Sequence, residues 1–124
     1  MKHEPPVING DGSNSRDFTY IDNVVLANNL GATAENPAAF NQAYNVACGD
    51  SVNLNEMTLL LRGYLAEKDP EIATVNALHG PDRAGDIPHS MASVAKAVRL
   101  LGYKPQVLFS EGLRRAVEWY VDNL

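Results

Sequence analysis

Residues 9–23, NGDGSNSRDFTYIDN, decide how the chain is read, because they run from a glycine loop through an alternating stretch to a candidate helix start. In RDFTY (16–20), Phe18 and Tyr20 fall on one face and Asp17 and Thr19 on the other, the period of a half-buried strand. Gly10-x-Gly12 looks like the start of a dinucleotide-binding loop, but Ser15 stands where the third glycine belongs, and a strand follows instead of a helix. A calcium loop fares no better. Asp11, Ser13, Ser15, Asp17, Thr19 and Asp22 have the spacing of EF-hand ligands, yet Arg16 places a cation where the turn glycine belongs. What remains is a turn at Asp11-Gly12 whose small residues leave space for Arg16, a fork able to pair two phosphate oxygens.

Working outward, Asp22 is expected to cap a helix running to about Glu35, which Asn36-Pro37 stops. QAYNVAC (42–48) alternates like a second strand. Asn53 with Glu56 forms a capping-box pattern, followed by a stripe of Met57, Leu60, Leu61, Tyr64 and Leu65. EIATVNAL (71–78) reads as a short strand. Ser90 is expected to cap a third helix with the stripe Val94, Ala97, Val98, Leu101 and a left-handed end at Gly102. Ser110 opens a last helix with Leu113, Ala116, Val117, Tyr120, Val121 and Leu124 on its apolar face. Four helices and three or four short strands make a mixed α/β fold without a strand, glycine turn and helix unit of dinucleotide-binding type.

At 124 residues and 45% hydrophobic, the chain suits one domain burying about two-thirds of its unfolded surface. Ten basic against fifteen acidic residues, a net charge of -5, argue against nucleic acid or an anionic membrane as partner. MKHEPPVING has no apolar run of signal-peptide length, and the single cysteine, Cys48, suits a reducing compartment, so a cytoplasmic location is expected. His3, His79, His89 and Cys48 lack zinc-ligand spacing, and no GxSxG elbow occurs.

A second arginine strengthens the anion site. In PDRAGDIPHS (81–90), Pro81 and Gly85 bracket Arg83 and present Asp86. Two arginines can share a diphosphate, and an aspartate beside them accepts well from sugar or ribose hydroxyls. By spacing alone, an Arg83–Asp86 surface ion pair is the simpler account.

GDGSNSRDFTYIDNV (10–24), YNVACGDSVNLNEM (44–57), RAGDIPHSMASVAKAVRLLGYKP (83–105) and EGLRRAVEWYV (111–121) together resemble the C-terminal part of the extended short-chain dehydrogenase/reductases. Within them the chain is most similar to the bacterial UDP-N-acetylglucosamine 4-epimerases of surface-polysaccharide synthesis. The resemblance implies a parent enzyme that binds NAD in an N-terminal Rossmann domain and UDP-sugar in a smaller C-terminal region. There, hydride leaves the sugar 4-position for NAD and returns to the opposite face. It implies Arg16 and Arg83 at the UDP diphosphate, Asp86 at the ribose, and Val7 and Ile8 near the uracil. At Ser90 the family is bulky in enzymes restricted to plain hexoses and small in those accepting N-acetylated sugars, so serine favours a UDP-N-acetylhexosamine, unless it serves only as a helix cap.

The family's glycine-rich NAD loop and catalytic Tyr-x-x-x-Lys are expected upstream of this chain. Tyr64-Leu-Ala-Glu-Lys68 matches the second motif by composition, but Tyr64 lies on the apolar stripe of its helix, where a core role is expected. Residues 1–124 are therefore expected to be a single UDP-sugar-binding region, a fragment without cofactor or catalytic residues of its own and inactive alone. The alternatives are a stand-alone module that self-associates through unpaired strand edges, or a fragment of a UDP-glucuronate epimerase or sugar dehydratase.

Overall fold

The computed structural model describes residues 3–123. Strand β1, Val7–Asn9, pairs in parallel with β4, Leu78–Gly80, placing Ile8 opposite His79. Strand β2, Ser15–Arg16, pairs antiparallel with β3, Val52–Asn53, and Ser15 also bridges His89. Helices α1 (Ile21–Ala32), α2 (Leu54–Ala66), α3 (Ala95–Leu101) and α4 (Phe109–Asn123) complete a mixed α/β architecture. Among the described residues both sheets have two strands; the His89 bridge covers the second edge of β2 at Ser15, while β1, β3 and β4 each keep one edge unpaired.

Helix α2 starts as its sequence dictates. Asn53 Oδ1 accepts from the Glu56 amide at 2.8 Å, and the Glu56 carboxylate accepts from the Asn53 amide at 3.3 Å. Its stripe is half-buried against the 3-10 turn Pro70–Thr74 and α4. Arg114 of α4 lies 4.5 Å above the Tyr64 ring and donates to both Glu67 oxygens at 3.1 and 3.3 Å, while Lys68 is exposed. The Tyr64–Lys68 motif thus belongs to a helix–helix contact.

Several expected elements are corrected. Asp22 is not the α1 cap: Tyr20 holds that place with no side-chain bond, and Asp22 sits in the first turn, 3.2 Å from Arg115. There its charge complements the helix dipole. The helix ends at Ala32, short of Glu35, where the Thr33 amide and hydroxyl both donate to the Asn29 carbonyl. RDFTY is paired only at Arg16, and residues 42–48 are not a strand. The second segment finds no neighbouring ladder among the described residues and is held by side chains instead. The Tyr44 hydroxyl donates to the Ala39 carbonyl, Lys96 Nζ to the Ala43 carbonyl and Asn45 to the Ser93 carbonyl.

In 71–78 the expected strand is largely the 3-10 turn, because Pro70 presets its first φ and Asp69 accepts from the Glu71 amide at 3.2 Å. Ser90 does not cap α3, which begins five residues later behind Val94; Ser90 is exposed, and its amide donates to the Ser15 carbonyl at 3.1 Å. Gly102 does end α3 at φ 67°, ψ 21°, a conformation that glycine adopts without a Cβ clash. Helix α4 starts at Phe109, one residue before Ser110; Val117 is buried, Tyr120 is exposed, and Leu124 lies outside the described residues.

The core gathers Ala27, Ala97 and Tyr103, with Leu26, Leu30, Tyr44, Val46 and Val94 against them. Tyr103 is fully buried and donates to the Ala47 carbonyl at 2.9 Å. Asn23 is the polar counterpart, 0% exposed: its Nδ2 donates to the Val107 carbonyl at 2.6 Å, and its Oδ1 accepts from the Gln106 and Val107 amides at 2.8 and 3.1 Å.

His3 fastens the start of the chain to the 3-10 turn, 2.7 Å from Asp69 and 3.3 Å from Glu71. Its hydrogen bond holds the Asp69 carboxyl below its ordinary value. A carboxyl lowered in the folded state contributes stability above its unfolded pKa, and that contribution is lost as pH falls through the lowered value. In an NMR pH titration the Asp69 carboxyl should therefore titrate below an unperturbed aspartate, and His3→Ala should raise it.

A candidate anion-binding cleft

Three side chains singled out from the sequence converge on one cleft. Arg16 at the end of β2, together with Arg83 and Asp86 from the 83–90 segment, lines a cavity of about 280 Å³ with Asn9, Asn14, Phe18, Leu54 and Met57. Backbone bonds bring the two segments together: the Ser15 amide donates to the Pro88 carbonyl at 2.8 Å, and Ser90 returns one to Ser15. Beside them Ser15 Oγ lies 3.1 Å from His89 Nδ1.

The ion pair is not the one that spacing suggests. Asp86 Oδ1 meets Arg16 Nη2 at 2.7 Å, and Asp86 Oδ2 accepts from Asn14 Nδ2 at 3.4 Å. Arg83 is joined to Asp86 only through the backbone, the Asp86 amide donating to the Arg83 carbonyl at 3.1 Å. Arg16 Nη1 also donates to the Ser15 carbonyl at 2.8 Å, so the guanidinium is already oriented. Two guanidinium groups and one carboxylate on one cleft suit a ligand carrying both phosphate and hydroxyl groups.

Val7, Ile8 and Ser90 do not line this cleft. Val7 is 64% exposed on β1, Ile8 is 7% exposed in the core, and Asn9, the next residue of the strand, reaches the cleft instead. Phe18 was within reach of sequence reasoning, since it shares strand parity with Arg16; the contributions of Leu54 and Met57 come from the docking of α2 and leave no local signal.

The glycine loop supports the cleft without opening it. Gly12 has φ 79°, and a Cβ there would collide with the Asn55 side chain, which donates to the Asp11 carbonyl at 2.9 Å. Its space is thus taken by the start of α2 and is not left clear for Arg16. Asp11 caps the turn by accepting from the Ser13 amide and hydroxyl, which holds its carboxyl low. Asp17 points elsewhere, accepting from the Cys48 and Gly49 amides at 2.9 and 3.0 Å. The calcium spacing therefore scatters its carboxylates.

Asp17 and Asn23 together fix Cys48, whose sulfur lies 3.4 Å from the Phe18 carbonyl. Burial pushes the Cys48 thiol up, and the Asp17 carboxylate adds to the rise. Alkylation by iodoacetamide at pH 8 should run slower in the folded protein than in urea, because the thiolate is the reacting form.

The family model for GDP-mannose 4,6 dehydratase matches residues 1–116. The chain belongs to that family. Its relatives include UDP-sugar 4-epimerases. The UDP-glucose 4-epimerase of Mycolicibacterium smegmatis is 33% identical over 112 residues, covering 90% of this chain and 33% of that protein. The solved UDP-N-acetylglucosamine 4-epimerase of Methanobrevibacter ruminantium, in complex with UDP-N-acetylmuramic acid, is 34% identical with a TM-score of 0.81 over 98% of this chain and 36% of that one. MoeE5, solved with UDP-glucuronic acid and NAD, is 30% identical with a TM-score of 0.74 over 98% of this chain and 38% of that one.

The chain thus spans about a third of the length of the family members it matches. NAD is a ligand of the family, but the glycine loop of this chain does not fit it. A dinucleotide loop leaves its glycines bare and ends at a helix N-terminus. Here Asn55 and Asp82 fill the space beside Gly12 and Gly10, and the loop runs into β2.

Proposed function

We propose that this chain is the UDP-sugar-binding region of an NAD-dependent 4-epimerase, that the sugar is an N-acetylhexosamine, and that the region is inactive alone. The enzyme would supply surface-polysaccharide precursors in the cytoplasm. The observation that carries this reading is the convergence of Arg16, Arg83 and Asp86 on one cleft. The arginines share the diphosphate charge and Asp86 accepts from the ribose hydroxyls. Val7 offers apolar surface to the uracil, with Ile8 anchoring its strand in the core. Relatives bound to different UDP-sugars have the UDP moiety in common, the part these residues would hold. The N-acetylated sugar rests on Ser90, small and exposed beside β2.

The test is an NMR titration of the labelled chain with UDP, UDP-glucose and UDP-N-acetylglucosamine. Shifts should centre on 14–18 and 83–86, with weak affinity because much of the pocket's surroundings lie outside this chain. The acetylated sugar should bind at least as well as glucose. A folded sample with no shift at Arg16 or Arg83 would overturn the reading.

Self-association is the competing function, favoured by the open strand edges and by exposed Ile21, Val25, Leu78 and Trp119. A defined oligomer in light scattering, with function indifferent to Arg16→Ala and Arg83→Ala, would select it.

A further inference from the structure

We propose that Asn14 is a positioning residue that keeps Asp86 aimed at the ribose while the diphosphate draws Arg16 away. The inference rests on the UDP reading above. Without ligand, both oxygens of Asp86 are engaged, Oδ1 by Arg16 at 2.7 Å and Oδ2 by Asn14 at 3.4 Å. A diphosphate competes directly for the Arg16 guanidinium, since phosphate oxygens make charge-assisted bonds to the same N–H groups. Asp86 then loses its cationic partner.

Backbone bonds close the turn that carries Asp86, from its own amide to the Arg83 carbonyl, and tie the following residues to Ser15, but they do not reach the Asp86 carboxylate. Gly85 stands at φ 81° with nothing within 4 Å of where a Cβ would lie, and the carboxylate beyond it is oriented by its side-chain partners Arg16 and Asn14. Asn14 suits that task for two reasons. Its amide is neutral and competes less for phosphate than a guanidinium does. Its backbone carbonyl is fixed by the Leu54 amide at 3.2 Å, which ties the residue to the start of α2.

The experiment compares UDP with inorganic diphosphate, which has no ribose, by NMR titration of the full chain and its Asn14→Ala, Asp86→Ala and doubly substituted variants. Asn14→Ala should lower the ratio of UDP to diphosphate affinity about fivefold, the weight of one ordinary hydrogen bond. In the Asp86→Ala background the same change should have no further effect on that ratio. A dispersed spectrum from each variant separates this loss from misfolding.

Equal losses for UDP and diphosphate would mean that Asn14 meets phosphate itself and would overturn the proposal. So would an Asn14 effect that survives in the Asp86→Ala background, or an unchanged ratio. If the unsubstituted chain binds neither ligand, the UDP reading fails first and this inference falls with it. If it binds UDP and Asn14→Ala binds equally well, only the role of Asn14 is refuted.

Discussion

Asn23→Ala is expected to lower the stability of the chain by about 3 kcal/mol, on the order of 10 °C in Tm, as read from urea and thermal unfolding. Asn23 is 0% exposed, so its amide makes its hydrogen bonds out of reach of bulk solvent. Three backbone groups depend on it: the amides of Gln106 and Val107 and the carbonyl of Val107. Alanine would leave the two buried Val107 groups without partners and release the part-buried Gln106 amide, and each unsatisfied buried group costs roughly 1–3 kcal/mol before relaxation. The effect should reach beyond α1, because these bonds fix the segment between Gly102 and α4. Loss of the Val107 anchor should also loosen Cys48, whose sulfur contacts the same carbonyl at 3.8 Å. Faster alkylation of Cys48 in Asn23→Ala would report that coupling. Unchanged stability would refute the account of Asn23 as a core linchpin.

Arg16→Ala is expected to reduce UDP affinity roughly 10- to 100-fold, since a charge-assisted contact contributes about 1.5–3 kcal/mol. The variant also leaves Asp86 without its cation, so repulsion between that carboxylate and the diphosphate adds to the loss. The wild-type interaction should weaken with rising salt, and the variant should show a shallower dependence. Arg83→Ala should act in the same direction. Its side chain is not paired to Asp86, so its removal frees no carboxylate, and the smaller effect is expected there. Isothermal titration or NMR line shapes at two salt concentrations would check both statements. Equal UDP affinity in Arg16→Ala and the unsubstituted chain would disconnect the cleft from the diphosphate.

Features governed by a few neighbouring residues were legible before any fold was known. The Asn53–Glu56 capping box and the left-handed end at Gly102 each depend on contacts within one helical turn, and both occur as their residues specify. Asp22 and Ser90 show where such reasoning stops. Each has the chemistry of an N-cap, but Asp22 is drawn to Arg115 on α4 and Ser90 is pinned to Ser15, both across long sequence separations. Residues 42–48 alternate like a strand, yet alternation reports which side chains turn inward and not whether a ladder partner exists. Tyr44 and Val46 do pack against the core.

The candidate site divides along the same line. Residue types alone nominated Arg16, Arg83 and Asp86, because guanidinium and carboxylate groups bracketed by turn residues carry their chemistry wherever they are placed. Only the packing of β2 against the 83–90 segment settled that Asp86 pairs with Arg16 and not with its sequence neighbour Arg83. Packing likewise brought in Asn14, and gave Gly12 to the Asn55 side chain. An amino-acid sequence carries the charge, the capping preferences and the periodicity of each segment. Partner choice across some seventy residues, as between Arg16 and Asp86, depends on how the whole chain closes, and no local pattern encodes it.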